Sequence, residues 1–136
     1  MDQYRPLIII EDDIDDQMIM QEALDDLGLF KCYHVFSEPS KAIEYLTTTT
    51  DTPCLILCDL MMPKTTGLEF RRQLLSHPQF EAKQIPFILI SSSSMAEDIV
   101  DEDLKPYVDE VIAKQHEFGA LTQQLRDLFK SWCAIS

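Results

Sequence analysis

Positive charge is scarce in this chain. Eleven Lys and Arg stand against 24 Asp and Glu in 136 residues, a formal net charge of −13. Nucleic-acid affinity depends on basic side chains neutralising phosphates, so this balance argues against it and favours a basic partner surface. Long apolar runs are also missing. Leu7–Ile10 is too short for a signal-peptide core or a membrane span, which points to a cytoplasmic protein with no membrane partner. The four cysteines, Cys32, Cys54, Cys58 and Cys133, show no C-x-x-C spacing and lie mostly within apolar patterns, so they are expected to be reduced and structural. The three histidines, His34, His77 and His116, share no metal spacing. There is no internal repeat, no low-complexity linker and no charge block marking a disordered tail. Residues 47–52 read as a polar connection.

What remains is an ordinary globular balance, 46% hydrophobic and 26% charged, with a length that suits a single domain over residues 1–136. Short apolar runs alternate with stretches of helical period. Strands are expected at Leu7–Ile10, Cys32–Phe36, Cys54–Cys58, Phe87–Ile90 and Glu110–Ala113. Ile14, Met18, Ala23, Leu24 and Leu27 predict a first helix ending at Gly28. Ser37 and Pro39 open a second, through Ile43 and Leu46. A third runs from Thr66 to Leu75, with Leu68, Arg71, Arg72 and Leu75 separating its apolar and charged faces, and a weaker fourth from Met95 to about Lys105. The last, from Phe118 to Trp132, aligns Leu121, Leu125, Leu128, Phe129 and Trp132 on one stripe. Strands apolar on both faces and alternating with helices imply a parallel sheet covered on each side, an α/β doubly wound (βα)5 architecture.

In such sheets ligands bind at the carboxyl edge. Asp59 ends the run Cys54–Cys58, and Glu11-Asp12-Asp13 follows Leu7–Ile10, so two strands deliver carboxylates to one place. Like charges that close raise each other's pKa unless a cation sits among them, and a hard dication held by a few carboxylates answers that need. The pattern suggests a Mg²⁺ site beside a nucleophilic aspartate. A plainer use competes: Asp12 or Asp13 could cap the first helix. Asp15 and Asp16, in its first turn, complement the helix dipole and receive no site role. Lys114 alone would read as a solvated lysine, Ser91 alone as a loop hydroxyl.

Together these residues resemble the receiver domain of two-component response regulators. Glu11-Asp12-Asp13 after the first strand, Asp59-Leu-Met-Met-Pro63 and Gly67 after the third, Ser91-Ser92 after the fourth and Lys114 after the fifth stand in family order over nearly the whole chain. The resemblance implies the flavodoxin-like fold, strand order 2-1-3-4-5. It implies that Asp59 is the phosphoacceptor, taking a phosphoryl group from a histidine kinase or a phosphotransfer histidine as an acyl phosphate. It assigns Mg²⁺ (or Mn²⁺) to Asp12, Asp59 and the Met61 backbone carbonyl, with Glu11 acting through a water. Lys114 and Ser91 would stabilise the phosphoryl oxygens, and the small Ser92 would leave them room. Beyond self-catalysed transfer and autodephosphorylation no enzyme activity is implied. Met61 and Ser93 would flank the path of attacking water, and Met62 is expected to be buried.

Two positions depart from the family pattern. The switch position, usually aromatic, is Val111, and the residue after the lysine, usually a cis proline, is Gln115. A cis bond before a non-proline costs roughly 2.5–4 kcal/mol, so Lys114–Gln115 is expected to be trans, or else strained. Without an aromatic, Ser91 and the fourth helix are expected to carry the output. No output domain is expected beyond the last helix, and the opening acids with the long 76–85 connection are similar to single-domain regulators partnered with hybrid or phytochrome-type kinases. The expected partners are a sensor histidine kinase or histidine phosphotransfer domain and a downstream protein. The chain itself would be a monomer or a weak homodimer, for which Phe118, Leu121 and Trp132 are candidate contacts. Two alternatives compete: a degenerate receiver serving as a binding module, and a Mg²⁺-dependent phosphatase of haloacid-dehalogenase type. Met61 stands where the latter needs a second aspartate.

Overall fold

Side chains of successive strand residues point to opposite faces, and here both faces are dry. In β1 (Leu7–Ile10), Ile8 and Ile10 enter one core cluster while Leu7 and Ile9 enter the other. The same alternation runs through β3 (Leu55–Asp59) and β4 (Phe87–Ser91), with Ile56, Cys58, Phe87 and Leu89 on the first side and Leu55, Leu57, Ile88 and Ile90 on the second. Such strands must lie in the middle of a sheet with helices on each face. β2 (Tyr33–Phe36) and β5 (Glu110–Ala113) are the half-exposed edges, and all five strands are parallel in the order β2-β1-β3-β4-β5. The structure is a computed structural model describing residues 5–29, 31–92 and 100–133.

α1 (Ile14–Asp26) and α5 (Phe118–Trp132) cover the second face through Met20, Ala23, Leu24, Leu121, Leu125 and Leu128. α2 (Pro39–Thr48), α3 (Gly67–Leu74) and α4 (Pro78–Glu81) cover the first through Ala42, Leu46, Phe70, Leu74 and Phe80. The observed α1 corrects the expected stripe: Ile14 and Met18 are 68% and 62% exposed, and Met20 packs inward in their place. Asp13 caps this helix, accepting from the Asp16 N–H at 2.9 Å, and Gly28 at φ +80° follows its end. Thr47 and Thr48 belong to α2 and not to a polar connection.

Other expectations are corrected as well. The 76–85 connection contains α4. The expected fourth helix falls partly on residues 93–99, outside the described residues, and its remainder forms turns leading into a 3₁₀ segment, Lys105–Tyr107. Arg71 lies on no charged face: it is buried and donates from Nε to the Tyr107 carbonyl at 2.8 Å and from both terminal nitrogens to Glu81. Its guanidinium also stacks over Phe87 and Tyr107, which ties α3, α4 and the 3₁₀ segment together. Cys54 and Cys133 are not reduced thiols but a disulfide, joining the start of β3 to the end of α5 across 79 positions. Burial of both in one cluster puts their Cα atoms 5.0 Å apart, within bonding reach. Cys32 and Cys58 are free.

Gly67 shows how closely α3 approaches the sheet. A Cβ there would lie 2.5 Å from Leu89 Cδ2 and 2.7 Å from the Asp59 carbonyl oxygen, so the first helical residue has no room for a side chain. Thr66 caps the helix before it, accepting from the Glu69 N–H at 3.1 Å. Gly67→Ala is expected to cost roughly 1–3 kcal/mol, because either Leu89 or the backbone of Asp59 must move. Urea unfolding of the variant measures this, and an unchanged midpoint would show that the β3–α3 loop yields freely.

Candidate functional site

Register brings the chemistry together. Ile10 pairs with Cys58, Asp59 with Ile90 and Ser91 with Ala113, so the residues that follow β1, β3, β4 and β5 emerge at one carboxyl edge. Glu11, Asp12 and Asp59 each offer a carboxylate oxygen there, all within 4.8 Å of one another. Glu11 is 1% exposed, while Asp12 and Asp59 are half-buried.

The Lys114 ammonium reaches into this cluster from β5. It donates to Glu11 Oε1 at 2.7 Å and to Asp16 Oδ2 at 3.1 Å. Burial works against its charge, but Glu11 and then Asp16 outweigh that and hold its pKa above the usual lysine value. Asp59 is pushed up to about 7, by burial first and then by the charge and hydrogen bond of Glu11, while Lys114 and the Met61 backbone N–H pull the other way. Asp12 is raised by burial, with the charges of Glu11 and Asp13 adding to it. Asp59 and Asp12 thus lack compensating positive charge even with Lys114 at the site, and three hard oxygen donors in this arrangement fit a small dication.

Ser91 is buried at the end of β4, and its carbonyl accepts from the Lys114 N–H at 2.7 Å. Ser92 is exposed, and Ser93 lies outside the described residues. The Met61 side chain is 63% exposed while Met62 is buried, as expected. Val111 is half-buried against the first core cluster. The Lys114–Gln115 peptide is trans, since the described residues contain no cis bond. Sequence reasoning missed Asp16, which was given only a dipole role. Its signal was its place in the first turn of α1, which begins at the same sheet edge. It also missed Gln17, whose Nε2 donates to the Glu11 carbonyl at 2.5 Å.

The family model for the response regulator receiver domain matches residues 7–126. The chain belongs to the response regulator receiver family. Among solved structures it is similar to the phosphorylated cyanobacterial phytochrome response regulator RcpA, at 26% identity and TM-score 0.78, over 98% of this chain and 96% of that one. It is also similar to the bacteriophytochrome response regulator RtBRR, at 27% identity and TM-score 0.73, over 98% and 83%. The Mn²⁺-bound form of Rcp1, at 20% identity and TM-score 0.73 over 97% of each chain, shares the fold. No curated protein matches the sequence significantly. Receiver domains are signalling modules of two-component systems, in general without enzyme activity of their own, and they interact with histidine kinases or phosphotransfer proteins. Phosphorylation and Mg²⁺ binding are typical of the family. Among the described residues, no helix of this receiver domain is long and apolar enough to cross a membrane.

Proposed function

We propose that this receiver domain accepts a phosphoryl group on Asp59 from a phosphohistidine and signals through protein–protein contact. The observation that carries the proposal is the convergence of Glu11, Asp12 and Asp59 within 4.8 Å, with the Lys114 ammonium among them. An Asp59 carboxylate oxygen would attack phosphorus as the P–N bond to the donor imidazole breaks, leaving an acyl phosphate on the protein and a neutral imidazole once a proton is taken up. Lys114, now paired with Glu11 and Asp16, would turn to the phosphoryl oxygens, and the Ser91 hydroxyl would donate to one of them. Asp12, Asp59 and the Met61 carbonyl would hold Mg²⁺, with Glu11 supporting it through a water. The ion would neutralise charge on the transferring group. The likeness to phytochrome response regulators at 26% and 27% identity supports a phytochrome-type sensor kinase as the donor. Residues 1–136 would act as a single receiver unit in the cytoplasm.

Intact mass after incubation with Mg²⁺ and acetyl phosphate tests this. One added phosphoryl group is expected on the parent and none on Asp59→Asn or in metal-free samples. No addition under any condition would overturn the proposal and favour a phosphorylation-independent binding module, the alternative that Val111 and Gln115 raise.

A further inference from the structure

Lys114 has to be placed to a fraction of an ångström to act on a phosphoryl group, yet its loop lacks the proline that fixes it elsewhere in the family. Gln115 stands there, in a trans peptide, and brings a backbone N–H that proline would not have. β5 is also the edge strand, so the Ala113 carbonyl has no neighbouring strand to donate to it. One side chain answers both groups. Gln124 of α5 accepts from the Gln115 N–H through Oε1 at 3.2 Å and donates through Nε2 to the Ala113 carbonyl at 2.7 Å.

These two bonds lie immediately before and after Lys114, and the Lys114 N–H itself is held by the Ser91 carbonyl at 2.7 Å. The backbone bearing the lysine is therefore gripped from β4 on one side and from α5 on the other. We propose that Gln124 is a positioning residue for Lys114, bracing the β5–α5 loop in place of the missing proline. Its two hydrogen bonds go to the backbone on either side of Lys114, so it acts through that backbone and not on the reacting atoms. The inference rests on the role given to Lys114 above. It extends that role to a half-buried helix residue that carries no charge.

The test compares Gln124→Leu and Gln124→Glu with the parent. Leucine keeps the helix and removes both bonds. Glutamate retains an acceptor for Gln115 and loses the donor to Ala113. At saturating Mg²⁺, the rate of phosphorylation by acetyl phosphate is expected to fall about tenfold in Gln124→Leu and less in Gln124→Glu, since small misplacements of a positioned group are costly. Mg²⁺ affinity by calorimetry should be unchanged. In a Lys114→Met background Gln124→Leu should have no further effect on the rate, because the two act in series. Equal rates in the parent and Gln124→Leu would overturn the inference, as would an undiminished effect without Lys114. If the parent takes up no phosphoryl group, the proposed function fails instead. The brace is then decided by NMR: the Gln115 amide should exchange faster and the Lys114 ammonium signal should shift in Gln124→Leu, and unchanged signals would overturn it.

Discussion

Lys114→Met will slow phosphorylation by acetyl phosphate to a low but measurable rate, roughly 10²-fold below the parent, as removal of one donor to a developing charge does, and will also cost roughly 3–5 kcal/mol of stability, the usual result of removing one partner from a buried ion pair. Both effects have one source. The Lys114 side chain is 7% exposed and that of Glu11 is 1% exposed, so methionine leaves a carboxylate with almost no access to water and with Asp59 beside it. Methionine fills the space of the lysine stem, so the loss is one of charge and hydrogen bonds more than of packing.

The same experiment has a pH arm. Asp59 is held at about 7 in the folded metal-free protein, by burial first and then by Glu11, against an ordinary carboxylate value of 3.8. Its folded pKa is raised, so the folded chain binds more protons than the unfolded chain between those two values. Its contribution to stability is fully present below the unfolded pKa and is lost as pH rises through about 7. Without Mg²⁺, the urea midpoint of the parent should therefore be lower at pH 8 than at pH 5. The stabilisation gained by adding Mg²⁺ should be larger at pH 8, where the carboxylates are free to bind it. Lys114 pulls the Asp59 pKa down, so in Lys114→Met the loss should extend to higher pH. A variant as stable as the parent at pH 8 would remove the ion pair from the energetics of the site.

Reducing the Cys54–Cys133 bond is expected to lower stability by roughly 4 kcal/mol, the chain-entropy value for a closed loop of this size. The bond spans 79 positions, nearly the whole region from the start of β3 to the end of α5, so its removal frees a large loop in the unfolded chain. Urea unfolding with and without dithiothreitol measures the effect, and a Cys54→Ser, Cys133→Ser double variant should show no response to reductant. Cys54 precedes β3 at the edge opposite Asp59, so phosphorylation of the double variant should match the parent. An unchanged midpoint on reduction would mean that the bond contributes nothing to the fold. The buried free thiol, Cys58, is pushed well above the usual cysteine value, by burial first and then by the charges of Asp59 and Glu11, which keeps it protonated and unreactive.

The central strands were legible because a residue buried on both faces of a sheet admits only apolar side chains. Leu7–Ile10 and Glu110–Ala113 coincide with the expected spans, and the others differ by a residue at their ends. The acids after β1 and β3 were legible for the same reason, since a charged residue directly after such a run has to sit at the sheet edge, whereas the lysine after the half-exposed β5 was singled out only by the family resemblance. α1 was harder, since Ile14 and Met18 fit a helical period yet face outward, and periodicity does not say which apolar residues a neighbour covers. Arg71 reads as a surface charge until Glu81, Phe87 and Tyr107 are seen around it.

The family resemblance added Ser91 and Lys114; by itself the sequence determined the doubly wound sheet and the place of Asp59, Glu11 and Asp12 at its carboxyl edge. Those follow from local pattern, because burial dictates residue type along a strand and chain direction dictates which end a following residue occupies. Only the tertiary structure decided that Lys114 rests on Glu11 and Asp16, that Gln124 grips the backbone on either side of it, and that Cys54 meets Cys133. Each of those contacts joins residues from separate elements. Their distances are set by how helices pack on the sheet, a cooperative outcome of the whole core that no local pattern records.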